Sequence, residues 1–167
     1  MNDVTDTRNE KTGSVARVAA ALAELGLDAE IRAMADSTRT SAEAAAAIGC
    51  SVAQIAKTMV FRELETDRAL LVVASGSNRV CTAKLAELTD KTIGRADAAF
   101  VRRTTGFAIG GVSPVGHVGD VDILLDADLY QYQEIWAAAG SPFAVFRTTA
   151  DALATATGAR VADIKEG

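Results

Sequence analysis

The first candidate for chemistry is a lysine inside an apolar segment. Lys57 lies in the sequence IAKTMVF, where one threonine is the only other polar residue. A lysine held among apolar side chains is partly surrounded by a low-dielectric medium, and its ammonium can bind an anion. A lysine at a strand end that extends its ammonium into water fits the same pattern. The sequence therefore gives Lys57 as a candidate anion-binding residue and leaves the surface alternative open.

The second candidate is the glycine-rich stretch TGFAIGGVSPVGHVG over residues 105–119, whose five glycines and one proline exclude a regular helix. The loop at its centre can approach a ligand closely, and its backbone N–H groups can stabilise an oxyanion. The loop consists of Gly110, Gly111, Val112, Ser113 and Pro114. The stretch lacks the G-x-G-x-x-G order of a dinucleotide site and the G-K-[ST] of a Walker loop. A purely structural turn is the alternative.

The single histidine suggests a third possibility. His117 follows Ser113 by four residues, a spacing that invites a serine nucleophile with a histidine base. Pro114 and Gly116 lie between them, so helical geometry cannot be assumed, and no orienting carboxylate is evident. The pattern favours a hydrogen-bonded or solvated loop histidine over a nucleophilic pair.

Hydrophobic periodicity and turn residues predict the elements that position these residues. Helices are predicted over residues 14–25, 40–48, 82–88, 95–102 and 149–157, and strands over residues 29–34, 56–64, 69–74, 121–125, 135–139 and 143–146. Glu43 follows Thr40 by three residues, which predicts a capping box at the start of the second helix. A short polar link predicts a hairpin between the strands at 56–64 and 69–74.

Interleaved helices and strands with hairpins predict an α/β (mixed α+β) fold with a mixed sheet in a single domain. The polar segment at residues 1–13 is predicted to be a flexible N-terminal tail, and residues 14–167 to form the domain. No linker or internal repeat divides the chain.

Composition excludes several functional classes. The net charge of −5 argues against broad binding to nucleic acid, and DNA is not an expected partner. No apolar run reaches the length of a membrane span, and no secretory signal is evident, so a cytoplasmic protein without a membrane partner is expected. Two cysteines and one histidine offer few metal ligands and no disulfide framework. No metal site is predicted.

The order of four segments resembles the YbaK/EbsC family, standalone relatives of the editing domain inserted in bacterial prolyl-tRNA synthetases. The segments are IAKTMVF, LLVVASGSNRV, TGFAIGGVSPVGH and, near the end, AAAG with ATGARVADI. The resemblance covers roughly residues 15–164, and the lysine followed by a G-x-x-x-P motif is its most specific part.

This resemblance implies a mixed sheet curled into a barrel-like core with helices around it. It also implies a trans-editing deacylase that hydrolyses the ester of a mischarged small amino acid on tRNA, most often tRNA-Pro. Lys57 matches the family's required lysine and, with Gly110, is the expected catalytic group. The expected substrate-binding residues are Gly76, Gly111, Val112, Ser113, Pro114 and His117. No cofactor is expected, and the partners implied are the acceptor end of mischarged tRNA and prolyl-tRNA synthetase.

Two departures from the family pattern leave substrate choice open. His117 cannot be assigned a catalytic role from the family, and Gly140-Ser141-Pro142 replaces the commoner AG-x-x-G. A non-catalytic tRNA- or synthetase-binding module of the same fold is one alternative function. A small-ester hydrolase that uses Ser113 and His117 is another.

Overall fold

In the computed structural model, the backbone of residues 2–167 and the side chains from residue 13 onward are described. The helices are α1 (Asn2–Glu24), α2 (Ser41–Ile48), α3 (Thr82–Thr89), α4 (Ala98–Thr105) and α5 (Ala150–Thr157). The strands are β1 (Ile31–Ala33), β2 (Ile55–Glu63), β3 (Arg68–Ser75), β4 (Ile93–Arg95), β5 (Val121–Asp126), β6 (Ile135–Ser141), β7 (Ala144–Thr148) and β8 (Arg160–Ala162). Short 3₁₀ turns at Val52–Gln54 and Ala127–Gln131 precede β2 and β6.

The sheet is mixed, which confirms the predicted fold class. Its strand order is β1-β7-β6-β2-β3-β5-β8, with β4 paired to β2. The β2–β6, β3–β5 and β5–β8 pairs are parallel, and the other pairs are antiparallel. The predicted hairpin is the β2–β3 pair, whose register runs from Ala56 opposite Ser75 to Glu63 opposite Arg68.

Helix ends follow the capping rules that the sequence contains. The Thr40 hydroxyl accepts a hydrogen bond from the Glu43 backbone N–H at 3.1 Å and donates to the Glu43 carboxylate at 3.0 Å. Gly49 ends α2 in the left-handed conformation at φ 88°. These contacts confirm the predicted start of α2, which matters because α2 borders the site.

Strand β3 lies at the centre of the core. Residues 69–75 are all buried, and their side chains alternate between hydrophobic clusters on the two faces of the sheet. Leu70 and Val72 pack with Leu85 of α3, whereas Val73 packs with Phe107 and α1. Because the strand is buried on both faces, its sequence is a continuous apolar run, which is the pattern from which it was predicted.

The largest differences from the predictions are two helix starts and two additional strands. Helix α1 begins at Asn2, well before the predicted start at residue 14, while the division into a tail and a domain stays a prediction. Helix α4 begins at Ala98, because Asp97 caps it and residues 93–95 form β4 instead. The three-residue strands β4 and β8 were not predicted, because so short a segment carries no periodicity.

No helix in the described part of the chain has the length and apolarity to cross a membrane.

One edge of β2 changes partner along its length. Strand β6 pairs with β2 only at Ile55 and Ala56, and β4 pairs with it only at residues 61–63. Within the described chain, no strand pairs with residues 57–60 on that side. The sheet therefore has an opening beside Lys57.

Candidate active site

A cavity of about 420 Å³ lies at this opening between β2 and β6. Its lining comes from β2, the segment before α2, the glycine-rich loop and the sheet strands β6 and β7. Those residues are Thr38, Arg39, Thr40, Ser41, Ala44, Ile55, Ala56, Lys57, Thr58, Met59, Gly76, Gly110, Val112, Trp136, Ala137, Ala138 and Val145. The structure thus brings Lys57, Gly76, Gly110 and Val112, all predicted from the sequence, to one cavity.

Lys57 is one of two cations that line this cavity, and it is half-buried, whereas the other, Arg39, is exposed. Burial lowers the pKa of its ammonium below the ordinary value of 10.5, and the positive charge of Arg79 lowers it further, while Asp126 acts in the opposite direction. No carboxylate among the described side chains forms an ion pair with it. A half-buried ammonium without a paired carboxylate is suited to bind an anionic ligand.

Position 110 requires glycine because of its backbone conformation and because of the nearby side chain of Arg39. The φ of Gly110 is +94°, a conformation that side chains rarely adopt, and a Cβ there would lie 2.5 Å from Cγ of Arg39. Gly111 is restricted by packing alone, since its Cβ would lie 3.0 Å from the backbone of Ser141. The loop can therefore approach Arg39 and Ser141 closely only because these two positions lack a side chain.

Arg17 of α1 binds the backbone on both sides of this loop, at Gly106 before it and at Gly116 after it. Its Nε donates to the carbonyl oxygen of Gly116 at 2.8 Å, and its Nη2 donates to that of Gly106 at 2.9 Å. Its guanidinium also lies 4.7 Å from the ring centre of Phe107. Arg17 was not predicted from the sequence, because its partners lie 89 and 99 residues away along the chain.

The segment before α2 forms another wall and was also missed. The backbone N–H and the hydroxyl of Thr38 both donate to the carbonyl oxygen of Pro142, at 2.6 and 2.7 Å. This anchor places the exposed Arg39 at the cavity, with its stem over Gly110. The turn at residues 140–142, where the chain departs from the family pattern, thus supports the cavity indirectly.

Gly76 lies where two parts of the chain approach closely. A Cβ at this position would contact the carbonyl oxygen of Val52 and would lie 2.8 Å from Cβ of Ser41. The Gly76 N–H donates to the carbonyl oxygen of Ile55 at 2.7 Å. A larger residue here would push the start of α2 away from β2 and alter the cavity.

Ser113 and His117 are not arranged as a nucleophile and its base. Ser113 is 0% exposed, and its hydroxyl accepts a hydrogen bond from the Val115 N–H at 3.2 Å. Nε2 of His117 lies 3.1 Å from the backbone carbonyl oxygen of Ser113, rather than from its hydroxyl. Burial lowers the pKa of His117 below 6.5, despite the opposing effect of that hydrogen bond.

Gly111, Ser113, Pro114 and His117 are absent from the lining of the cavity, although Val112 between them reaches it. Their predicted contacts with substrate remain predictions. In the structure these residues fold and support the loop, as the Val115 hydrogen bond to Ser113 illustrates.

The remaining walls are free of carboxylates and largely apolar, apart from the hydroxyl groups of Thr40, Ser41 and Thr58. Ala44, Trp136 and Val145 pack in one hydrophobic cluster at this wall. The hydroxyl oxygen of Thr58 is buried and has no hydrogen-bond partner among the described residues. The cavity can therefore hold a small, largely apolar group beside a cation and a glycine backbone. Within the described residues, no cluster of three potential metal ligands occurs.

The comparison with protein families agrees with this arrangement. Residues 35–156 match the family described as the aminoacyl-tRNA editing domain. The chain belongs to this family. The match includes Lys57 and the glycine-rich loop, and it confirms the resemblance on which the sequence prediction was based.

Known relatives of this editing-domain chain support the assignment. A solved structure described as a proposed trans-editing enzyme for prolyl tRNA synthetase is 45% identical, with a TM-score of 0.87, over 92% of this chain and 98% of that one. The hypothetical protein APE2540 is 31% identical, with a TM-score of 0.84, over 90% and 99% of the two chains. The uncharacterized protein YwhH of Bacillus subtilis is 34% identical over 105 residues, which span 63% of this chain and 66% of that protein.

Proposed function

We propose that this chain is a trans-editing aminoacyl-tRNA deacylase, which hydrolyses the ester of a mischarged small amino acid, with tRNA-Pro as the principal substrate. The observation that carries the proposal is the shared cavity of Lys57 and Gly110. It combines an unpaired ammonium and a side-chain-free backbone with carboxylate-free walls. Membership of the editing-domain family supports the reaction class.

In the proposed reaction, water adds to the ester carbonyl, and the bond to the ribose oxygen then breaks. The products are a free amino acid and a tRNA with free terminal hydroxyls. An aminoacyl ester is already activated, so positioning and oxyanion stabilisation contribute more than a strong protein nucleophile. The adjacent ribose hydroxyl assists proton transfer, which explains how a cavity without a carboxylate or an imidazole supports hydrolysis.

Lys57 and the loop have separate roles in this scheme. The Lys57 ammonium holds the phosphate or ribose end of the substrate, since it has no competing carboxylate within the described chain. The backbone at Gly110 positions the ester carbonyl, and removal of one such donor typically costs about 2.7–4 kcal/mol of transition-state stabilisation.

The walls favour a small side chain on the amino acid. Ala44, Ala137 and Ala138 leave space that Trp136 limits on one side. One methylene changes selectivity by only about 1–3 kcal/mol in such a pocket. Alanine is the best fit to apolar walls, and serine and cysteine are the next candidates.

The proposed partners are the acceptor end of mischarged tRNA and prolyl-tRNA synthetase. The relative described as a proposed trans-editing enzyme for prolyl tRNA synthetase supports this pairing. A net charge of −5 gives little general attraction for tRNA, so delivery by a synthetase fits the charge. A cytoplasmic location follows from this role.

The direct test is deacylation of tRNA-Pro charged separately with alanine, serine, cysteine and proline. Wild type, Lys57→Ala and the control Lys91→Ala, a lysine outside the cavity, are compared. We expect the wild type and Lys91→Ala to release a noncognate amino acid and spare proline, while Lys57→Ala loses this activity and stays folded. Full activity of a folded Lys57→Ala variant would refute the assignment of Lys57. Binding of charged tRNA without turnover by the wild type would favour a binding module.

A further inference from the structure

A groove adjoins the Lys57 cavity on the other side of Lys57. We refer to it as the Arg79 groove; its volume is about 420 Å³, and its lining is Lys57, Met59, Phe61, Ser77, Asn78, Arg79, Val80 and Thr82. Lys57, Met59 and Phe61 are alternate residues of β2, so they lie on one face of the strand and form the floor of the groove. Lys57 and Met59 line the cavity as well. The two spaces therefore meet at Lys57.

The Arg79 groove has two cations and little opposing charge. Arg79 is close enough to Lys57 to lower its pKa, and neither residue forms an ion pair with a described side chain. Asp126 also acts on Lys57, but it is buried, and one of its oxygens accepts hydrogen bonds from the Ser75 N–H at 3.0 Å and the Asn78 amide at 2.8 Å. Asn78 also donates to Asp128 at 2.9 Å, but Lys165 pairs with that carboxylate at 2.7 Å. A ligand in the groove therefore meets the positive charge of Lys57 and Arg79.

The floor of the groove adds an apolar surface. Met59 and Phe61 are half-buried, although both pack on the hydrophobic cluster around Leu70 and Leu85. Adjacent cations and an aromatic ring are the combination by which proteins hold single-stranded nucleic acid: the backbone phosphate contacts the cation, and the base stacks on the ring. An amino acid or a simple anion would leave one of these two features unused.

We propose that the Arg79 groove binds the nucleotide immediately 5′ of the terminal adenosine of the substrate. Its base lies on Phe61 and Met59, and the phosphate that joins it to the adenosine lies between Lys57 and Arg79. This inference rests on the proposed deacylase function, because it places the aminoacyl ester in the Lys57 cavity and the preceding nucleotide on the other side of Lys57, in the groove. Stacking accepts any base, so the site adds affinity without selecting a sequence.

The test uses esters of the amino acid that the wild type releases fastest from tRNA. Three substrates are compared: the 3′-aminoacyl ester of adenosine, the same ester of the dinucleotide CpA, and a CpA analogue without the cytosine base. The quantity of interest is the ratio of kcat/KM for each dinucleotide to kcat/KM for the adenosine ester. We call this ratio the gain. For the wild type we expect a gain of roughly 5- to 100-fold with CpA, the range typical of one stacked base.

Two variants separate the phosphate contact from the base contact. We expect Arg79→Gln to reduce the gain for both dinucleotides and to leave hydrolysis of the adenosine ester unchanged. Phe61→Leu keeps the apolar volume but removes the ring, so it should reduce the gain with CpA and leave the abasic analogue unaffected. Arg102→Gln, an exposed arginine on α4, is the matched control and should retain the full gain.

The outcomes distinguish the two proposals. If the wild type hydrolyses no charged tRNA or ester, the deacylase function itself fails. If it hydrolyses the adenosine ester and CpA equally well, or if Arg79→Gln retains the gain, the nucleotide site is refuted while the function stands. An equal loss with all three substrates in Arg79→Gln would also refute the site, because it would place Arg79 at the ester instead.

Discussion

The two ends of β2 each contain an ionisable residue whose pKa is shifted by burial, yet their surroundings differ. At one end, burial lowers the pKa of Lys57, and the neighbouring strand edge is open. At the other end, burial raises the pKa of Glu63, and β4 pairs with the strand. Desolvation affects both groups in the same sense, towards the neutral form. A shifted pKa therefore does not by itself mark the reactive end.

Access and charge compensation separate the two ends. Lys57 faces two open spaces and has no ion-pair partner among the described side chains. Glu63 is 0% exposed, accepts a hydrogen bond from the Thr66 hydroxyl at 3.0 Å and lies beside Asp122, which Arg68 pairs at 3.2 Å. Glu63 also borders a groove, but none of its own surface is exposed, so the lysine is the more accessible of the two groups. We therefore propose that the Lys57 end is functional and the Glu63 end is structural.

The largest effect expected within this comparison is that of Gly110→Ala on activity. The new Cβ meets Arg39, and alanine rarely adopts the positive φ that the backbone has at this position, so the loop must move. A displacement of about 1 Å at a reacting group can reduce the rate about 100-fold, and we expect a loss of that order in kcat/KM for deacylation. Gly158→Ala is the control, since Gly158 also has positive φ but lies in open space after α5. Equal activity losses in both variants would remove the argument for the loop.

The second effect, Glu63→Gln, concerns the dependence of stability on pH. Because the folded-state pKa of Glu63 is raised above 4.5, its contribution to stability is present below that pH and is lost as pH rises through the folded pKa. Glutamine cannot ionise, and its amide can donate to Asp122. We expect the variant to be more stable than wild type at neutral pH by about 1–3 kcal/mol and equally active. Denaturant unfolding between pH 4 and pH 8 measures this, and parallel curves for the two proteins would contradict it.

The smallest effect, Thr40→Ala, tests how the wall before α2 is held. Loss of the cap costs about 1 kcal/mol of stability and loosens the segment that carries Arg39, so a decrease of a few-fold in kcat/KM is expected. Thr149→Ala removes the equivalent cap of α5, where the hydroxyl accepts from the Ala152 N–H at 3.1 Å. That variant should lose similar stability without losing activity. If Thr40→Ala and Thr149→Ala lost similar activity, the loss in Thr40→Ala would result from lower stability rather than from movement of the cavity wall.

Local sequence signals predicted the features that depend on neighbouring residues. The N-cap at Thr40, the β2–β3 hairpin and the mixed sheet are confirmed, whereas the Glu43 carboxylate contacts the Thr40 hydroxyl rather than the backbone N–H that a capping box requires. Lys57 and Gly110 were predicted from a motif order rather than from spacing, and they meet at one cavity. In each case the residues that determine the feature lie close together in the sequence, or the resemblance to a family implies the fold that brings them together.

Features that depend on distant contacts could not be predicted from one sequence. Arg17 matters because two carbonyl groups far along the chain converge on its guanidinium. Arg39 reaches the cavity only because Thr38 is bonded to Pro142 across 104 residues. Similarly, the sequence places Ser113 and His117 four residues apart, but only the structure reveals that the histidine contacts a carbonyl group. Side-chain direction in an irregular loop has no periodic signal.

The most direct test of the central claim compares the two ends of β2 in one assay. Single-turnover deacylation of mischarged tRNA-Pro is measured for wild type, Lys57→Met and Glu63→Gln, with thermal unfolding of each protein recorded alongside. Both variants replace an ionisable group by a neutral one of similar length. We expect Lys57→Met to lose roughly 100-fold or more in rate without loss of stability, and Glu63→Gln to keep the wild-type rate. A wild-type rate in Lys57→Met, or an equal loss in Glu63→Gln, would contradict the assignment of the reaction to the Lys57 end.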